Sequence, residues 1–282
     1  MKRSLVINAD DFGLSKGVNE AVRRAHTEGV LTSASIMSNM PAAAHAIETA
    51  RSLPNLGVGI HLNVFEGKPL SQDTAVQCLL DDSGRFARSP TELAFWTAVR
   101  RGVRIAVRME FAAQIAWAIE KKISPTHLDS HKHFHCLPWL FPTVCELART
   151  FGIGSVRFCL EPRYVWQVPW PLSTRADRKR ARLIGWMARI NRRQNRRFFK
   201  NQALLGISHT GRIDVSFLKA VSLYNQAATA EVMTHPASGD DLDAGTTRLL
   251  GQRNAELEAL CDPKAGSFFK ESDMRLVHYG RL

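Results

Sequence analysis

What this sequence lacks narrows it before anything it contains. Its 282 residues hold five cysteines, Cys78, Cys136, Cys145, Cys159 and Cys261, an odd number with no CxxC pair. That spacing gives no basis for a disulfide framework or a cysteine zinc site and reads as buried, reduced thiols. No apolar run reaches the roughly 18 residues needed to cross a bilayer. The start, Met1-Lys2-Arg3-Ser4-Leu5-Val6-Ile7, is basic and then apolar, but it is too short for a secretory leader and ends at Asp10-Asp11. It reads as a first β-strand, and the chain as cytoplasmic. A GxGxxG after that strand, GxxxxGK[ST], GxSxG and HExxH are all absent. Nucleotide-cofactor and serine-hydrolase chemistry therefore have no motif behind them.

Acidic residues are scarce relative to basic ones, 26 against 38, for a net charge of +12. The excess is local. Between 175 and 200 stand Arg175, Arg178, Lys179, Arg180, Arg182, Arg189, Arg192, Arg193, Arg196, Arg197 and Lys200, opposed only by Asp177. The rest of the chain is nearly neutral, which argues against a protein that coats nucleic acid, and no nucleic-acid motif is present. Leu183, Trp186, Met187 and Ile190 fall at i, i+3, i+4 and i+7, the spacing of an amphipathic helix over 176–198. A basic amphipathic helix with a tryptophan fits peripheral contact with anionic lipid at the inner membrane. It fits equally a surface helix with a solvated basic face.

Apolar, β-branched segments alternate with helical patterns. Strands are expected at 4–8, 32–37, 57–64, 126–130, 155–158, 204–209, 231–234 and 275–278, and helices near 16–29, 41–53, 106–122, 138–151, 176–198, 214–222 and 246–260. Such alternation implies a parallel sheet or a barrel with helices outside. Residues 65–105 read as an inserted lid or small helices. Residues 161–171, with three prolines and two tryptophans, read as an ordered loop. In parallel βα folds chemistry collects where strands end. Asp10-Asp11, His61, Asp129, His131, Arg157 and His235 all fall at such places.

Two adjacent carboxylates after an apolar strand repel one another unless a cation lies beside them; alternatively, one caps the next helix and the other is solvated. His61, inside the Gly57-Val64 run, is a ligand or a satisfied core histidine, and Asn63 would share its strand face and orient a ligand or substrate. The densest cluster is His127-Leu128-Asp129-Ser130-His131-Lys132-His133-Phe134-His135. Imidazole and carboxylate at that density suit a divalent metal better than a solvated loop, because Leu128, Phe134 and the run after Cys136 are apolar. In an extended run His127, Asp129 and His131 share a face; in a helical turn His131 and His135 do. Arg157 could hold a catalytic aspartate or form an ordinary ion pair. His235, with Pro236 after it, is either a turn residue or a proton donor to a leaving group.

Together these residues resemble a known family. Asn8-Ala9-Asp10-Asp11-Phe12-Gly13-Leu14-Ser15, Gly59-Ile60-His61-Leu62-Asn63, Thr126 to His133, and Thr234-His235-Pro236 look like the YdjC-like carbohydrate deacetylases in order and spacing. Lys132-His133-Phe134-His135, Val156-Arg157-Phe158 with Glu161-Pro162, and Gly206-Ile207-Ser208-His209-Thr210-Gly211 look more like the hopanoid-biosynthesis-associated branch, linked to deacetylating an N-acetylglucosaminyl group on a hopanoid lipid. The resemblance implies one domain over 1–282, a distorted (β/α) TIM-like barrel, and a homodimer. The basic helical insertion, about 163–200, lies outside the shared motifs. The resemblance also implies a divalent metal on Asp11, His61 and His131, Asp10 as base and His235 as acid. Either Mg2+ or Zn2+ is the expected ion; two histidines with one aspartate suit zinc, cobalt or nickel, whereas magnesium prefers more oxygen. Phosphoester hydrolysis on the same rim, or a non-enzymatic membrane-associated binding protein, are the alternatives.

Overall fold

In the computed structural model, which describes residues 3–167, 173–239, 241–242 and 247–282, strand β1 (Arg3–Phe12) lies at the centre of a parallel sheet. It is followed by α1 (Lys16–Thr27), β2 (Ser33–Ile36), α2 (Ala43–Arg51), β3 (Gly57–Leu62), α3 (Pro90–Val99), α4 (Arg101–Glu120), β4 (Leu128–Ser130), α5 (Phe141–Thr150), α6 (Tyr164–Gln167), α7 (Arg175–Gln194), β5 (Ala203–Leu205), α8 (Val215–Leu223), β6 (Thr229–Thr234), α9 (Gly251–Cys261), α10 (Pro263–Glu271) and β7 (Met274–Leu276). The sheet order is β4-β3-β2-β1-β6-β5, with β7 paired to the start of β1, all parallel. The strands curl into a half-barrel with the helices outside.

The gap between β4 and β5 is spanned by irregular chain. The expected strand at 155–158 makes only one bridge, Val156 to Leu128. Its next amides are taken elsewhere: Val156 N donates to Phe198 O, and Phe158 N to the Asn201 side chain. Further along, Leu204 N donates to Leu160 O. The expected strand 204–209 stops at Leu205 because Gly206, at φ +111°, turns the chain, a conformation open to glycine.

Period two explains the layers. Leu5, Ile7, Ala9, Ala230 and Val232 join one apolar cluster with α1, α2, α8, α9 and α10, while Ile60, Leu62 and Leu128 join another with α4 and α5. The alternate residues, Asn8, Asp10, Ser35, His61, Asp129 and Glu231, are buried and polar and face the concave side. Gly59 is required there. A Cβ at that position would lie 2.3 Å from Cε1 of His127.

Other expectations shift. Residues 65–105 form a 3₁₀ turn at Thr74–Leu79, α3 and the start of α4, all packed into the second cluster. Tyr164–Gln167 is a short helix rather than loop, begun by the 163–166 turn after Pro162; 168–172 lie outside the described residues. Thr246, the expected start of the 246–260 helix, also lies outside them, and α9 begins at Gly251. Helix α7 ends at Gln194, with a separate 3₁₀ turn at Arg196–Phe198. Its buried stripe is Ala181, Ile184, Ala188 and Asn191, so Leu183 and Trp186 face outward, 58% and 57% exposed. Ala181 and Ile184 pack with Cys136, Cys159, Leu204 and Ile207, and a Cβ at Gly185 would lie 3.2 Å from Leu160 Cδ1. Of the cysteines, Cys136, Cys145 and Cys159 are buried, but Cys78 is exposed.

Candidate active site

Alternation alone would send Asp10 and Asp11 to opposite faces. The register of β1 against β2 shifts between Ala9 and Phe12, and Asp11 sits at φ +64°. This bulge turns both carboxylates toward His61. A left-handed aspartate costs about 1–3 kcal/mol, and such strain gathers at functional sites.

Asp10 is clamped. Arg157 Nη1 donates to its Oδ2 at 2.8 Å, Nη2 to its Oδ1 at 2.6 Å, and Asn8 Nδ2 to Oδ1 at 2.9 Å. Burial alone would raise the Asp10 carboxyl; the Arg157 guanidinium and His61 outweigh it and hold it below the usual range. Arg157 is itself wholly buried and also meets Asp129 Oδ2 and Glu231 Oε1, each at 2.7 Å. Three carboxylates around one cation leave excess negative charge. Burial pushes Glu231 up to about 7, and Tyr279 donates its hydroxyl to it.

Asp11 is held on one side only. Arg253 Nη2 of α9 donates to Oδ2 at 2.6 Å. Its Oδ1 is buried and accepts no hydrogen bond. Facing that oxygen are His131 Nδ1 at 3.2 Å and His61 Nε2 at 3.5 Å. The three donor atoms lie within 4.8 Å of one another. His61 Nδ1 donates to Asp129 Oδ1 at 2.8 Å, and Ser35 Oγ donates to Asp129 Oδ2 at 2.7 Å. His131 Nε2 meets Glu66 Oε1 at 3.1 Å. Each histidine thus has its outer nitrogen tied to a carboxylate, the arrangement that orients imidazole toward a metal. An orphaned carboxylate oxygen between two such imidazoles fits a divalent cation. Without one, burial works against charge on His131, yet Asp11 and Glu66 pull its pKa up to about 9.

His235 follows β6. Its backbone N donates to Glu256 Oε2 at 2.6 Å, and its Nδ1 is buried without a hydrogen-bond partner. Burial lowers its pKa to about 4, although Asp11 and Asp10 are near enough to act against that.

The remaining histidines separate. Lys132 and His133 are both left-handed, at φ +56° and +55°, so 131–136 is a kinked 3₁₀ turn in which His131 and His135 point apart. His127 stacks on Tyr279 with ring centroids 4.0 Å apart and is kept neutral by burial, at about 3. Asn63 does not face the site as a ligand-orienting group would; it accepts from Phe65 N and donates to Glu66 O, pinning the loop after β3. Sequence reasoning gave no part to Glu66, Glu231, Tyr279 or Arg253. Asp129 and Glu231 carried a signal, their inward place in the alternation. Arg253 carried none, being one arginine on a distant helix.

A parallel half-barrel with a carboxylate–histidine cleft fit for one cation is therefore the class defined by fold and site. The chain belongs to the YdjC-like protein family, whose model matches residues 4–271. It is similar to curated carbohydrate deacetylases of Brevibacillus brevis (32% identical, covering 99% of both chains) and Geobacillus stearothermophilus (34% identical, 99% of this chain and 98% of that one). A Vibrio cholerae carbohydrate deacetylase is 30% identical over 99% of this chain and 96% of its own. Among solved structures, a protein of Enterococcus faecalis provisionally described as a cellobiose-phosphate cleavage protein superposes with a TM-score of 0.79 at 22% identity, covering 100% of this chain and 99% of that one. That likeness supports the fold.

Proposed function

We propose that this chain is a carbohydrate deacetylase that hydrolyses the N-acetyl group of an amino sugar with one divalent cation held by Asp11, His61 and His131. The observation that carries the reading is the free Asp11 Oδ1 facing two imidazoles that are each tied back to a carboxylate. The full-length similarity to carbohydrate deacetylases supplies the substrate class.

A cation bound there supplies Lewis acidity and lowers the pKa of its water. Asp10, fixed by Arg157 and Asn8, takes the proton of the attacking water as the carbon–oxygen bond forms. The Arg157 clamp keeps that carboxylate ionised and its rotamer set. His235, neutral at rest, gains proton affinity as negative charge develops on the adduct. It takes up the proton that Asp10 removed from water and delivers it to the nitrogen, the carbon–nitrogen bond breaks, Asp10 and His235 return to their starting forms, and acetate and the amine result.

The finer substrate is an N-acetylglucosaminyl group on a hopanoid lipid, supported by the branch-like details at Lys132–His135 and Glu161–Pro162. Exposed Trp186 and Leu183 among the arginines of α7 support peripheral attachment to anionic membrane. No helix among the described residues is long and apolar enough to cross a membrane. Acetate release from N-acetylglucosaminyl lipid and from chito-oligosaccharide tests the activity, with phosphate release from sugar phosphates as the control. Acetate from the first substrate is expected; phosphate alone would overturn the reading. Salt-sensitive co-sedimentation with anionic vesicles is expected, and its absence would remove the membrane contact.

A further inference from the structure

We infer a second metal site, separate from the Asp11–His61–His131 cleft, formed by His135, Cys136 and Cys159, with His133 beside Cys159. No motif marks it, because the two cysteines form no CxxC pair. The fold brings them together between the kinked turn 131–136 and the irregular segment 155–160.

The two sulfurs stand off His135 Nε2 at the separations of a coordination sphere. His135 Nε2 lies 3.6 Å from Cys136 Sγ and 3.5 Å from Cys159 Sγ, and His133 Nδ1 lies 3.6 Å from Cys159 Sγ. Bonds of about 2.3 Å to sulfur and about 2.0–2.1 Å to nitrogen, at tetrahedral angles, place sulfur and nitrogen about 3.5 Å apart. The donor atoms of His135, Cys136 and Cys159 are mutually within 4.8 Å, and all three residues are buried. His133 approaches from the side of Cys159 and is only partly buried, so the cluster is reachable from there.

The chemistry balances. A dication displaces two thiol protons, and the two thiolates cancel its charge, so the pocket gains no net charge. His135 Nε2 lies 3.2 Å from the Arg157 carbonyl, which can only accept, so Nε2 carries the proton there and Ser130 Oγ hydrogen-bonds Nδ1 at 2.6 Å. A cation bound at Nε2 moves that proton to Nδ1, where Ser130 Oγ accepts it, so the imidazole stays neutral. Two thiolates with an imidazole select zinc or a similarly thiophilic ion over magnesium. The site is structural, since its core donors are closed off. It ties the turn that carries His131 to the segment that carries Arg157, two residues before Cys159. It thereby positions a ligand of the cleft and the clamp on Asp10.

Cobalt(II) titration of the full-length, chelator-stripped, reduced protein tests this without reference to activity. Two equivalents should bind, one of them giving a thiolate-to-cobalt charge-transfer band. The band should persist at one equivalent when the cleft is disabled by Asp11→Asn with His61→Ala, and vanish in Cys136→Ser with Cys159→Ser. Lack of the band in both the wild type and the cleft variant would overturn the site, as would a Cys136–Cys159 disulfide under the same reducing conditions. Because the band is read in folded wild-type protein, misfolding of the serine variant does not decide the matter. Failure of acetate release leaves the band untouched.

Discussion

His61 Nδ1 lies 2.8 Å from Asp129 Oδ1, so the nitrogen His61 turns to Asp11 is Nε2. That one pairing sets the tautomer of a ligand and links the cation cleft to the buried Arg157 cluster, which Asp129 also joins. Asp129→Asn should therefore leave the chain folded while weakening cation binding about 10- to 100-fold. Competition with a chelator of known affinity reads this directly, and unchanged affinity would dissociate Asp129 from the metal.

Asp10 lies beside the cleft but is committed to Arg157 and Asn8. Asp10→Asn should keep the cleft's cation and lose about 10²- to 10⁴-fold in kcat, with little change in KM. Loss of the cation in this variant would make Asp10 a ligand rather than a base.

His235 has its Nδ1 unpartnered and its backbone fixed by Glu256. His235→Ala should lower kcat without reducing metal content. Undiminished turnover would remove it from the reaction.

Glu231 gives a pH signature of stability. Burial raises it from 4.5 to about 7 despite the opposing pull of Arg157. A raised folded-state pKa favours the folded protein fully below about pH 4.5 and loses that contribution as pH rises through about 7. The span corresponds to about 3 kcal/mol at most. Glu231→Gln should accordingly flatten unfolding free energy between pH 4.5 and 7, measured by denaturant titration. An unaltered slope would mean the carboxyl is not buried as described.

Gly59 carries the flank of His127, with no room for a methyl group. Gly59→Ala should destabilise the fold by about 1–3 kcal/mol through overpacking, seen as a lower Tm. A Tm equal to wild type would show that the ring can move aside.

The parallel sheet was legible because its strands keep outward positions apolar and inward positions polar, as at Ile60, His61 and Leu62 or Leu128 and Asp129. The same alternation marked where strand ends would gather histidines and aspartates. It could not show that Asp10 and Asp11 face one cleft, because that depends on a bulge and a left-handed backbone at Asp11. Nor could it show Arg253, brought in by α9 from a distant part of the chain, or the pairing of Cys136 with Cys159. Residues 155–158 look like a strand from their β-branched and aromatic content, but only Arg157 N bonds to a strand, at Leu128 O, while Val156 N and Phe158 N go to Phe198 and Asn201. In α7 the amphipathic spacing placed Leu183 and Trp186 on one apolar face with Met187 and Ile190, whereas the buried stripe runs through Ala181, Ile184, Ala188 and Asn191 and leaves Leu183 and Trp186 outward.

Acetate release from an N-acetylglucosaminyl substrate by chelator-stripped enzyme, before and after return of zinc or cobalt, tests most directly whether Asp11, His61 and His131 work through a bound cation. Stripped wild type should be inactive and recover on metal return, while His61→Ala should stay inactive at the same metal concentration. Full activity in the stripped enzyme, or in His61→Ala, would contradict the account.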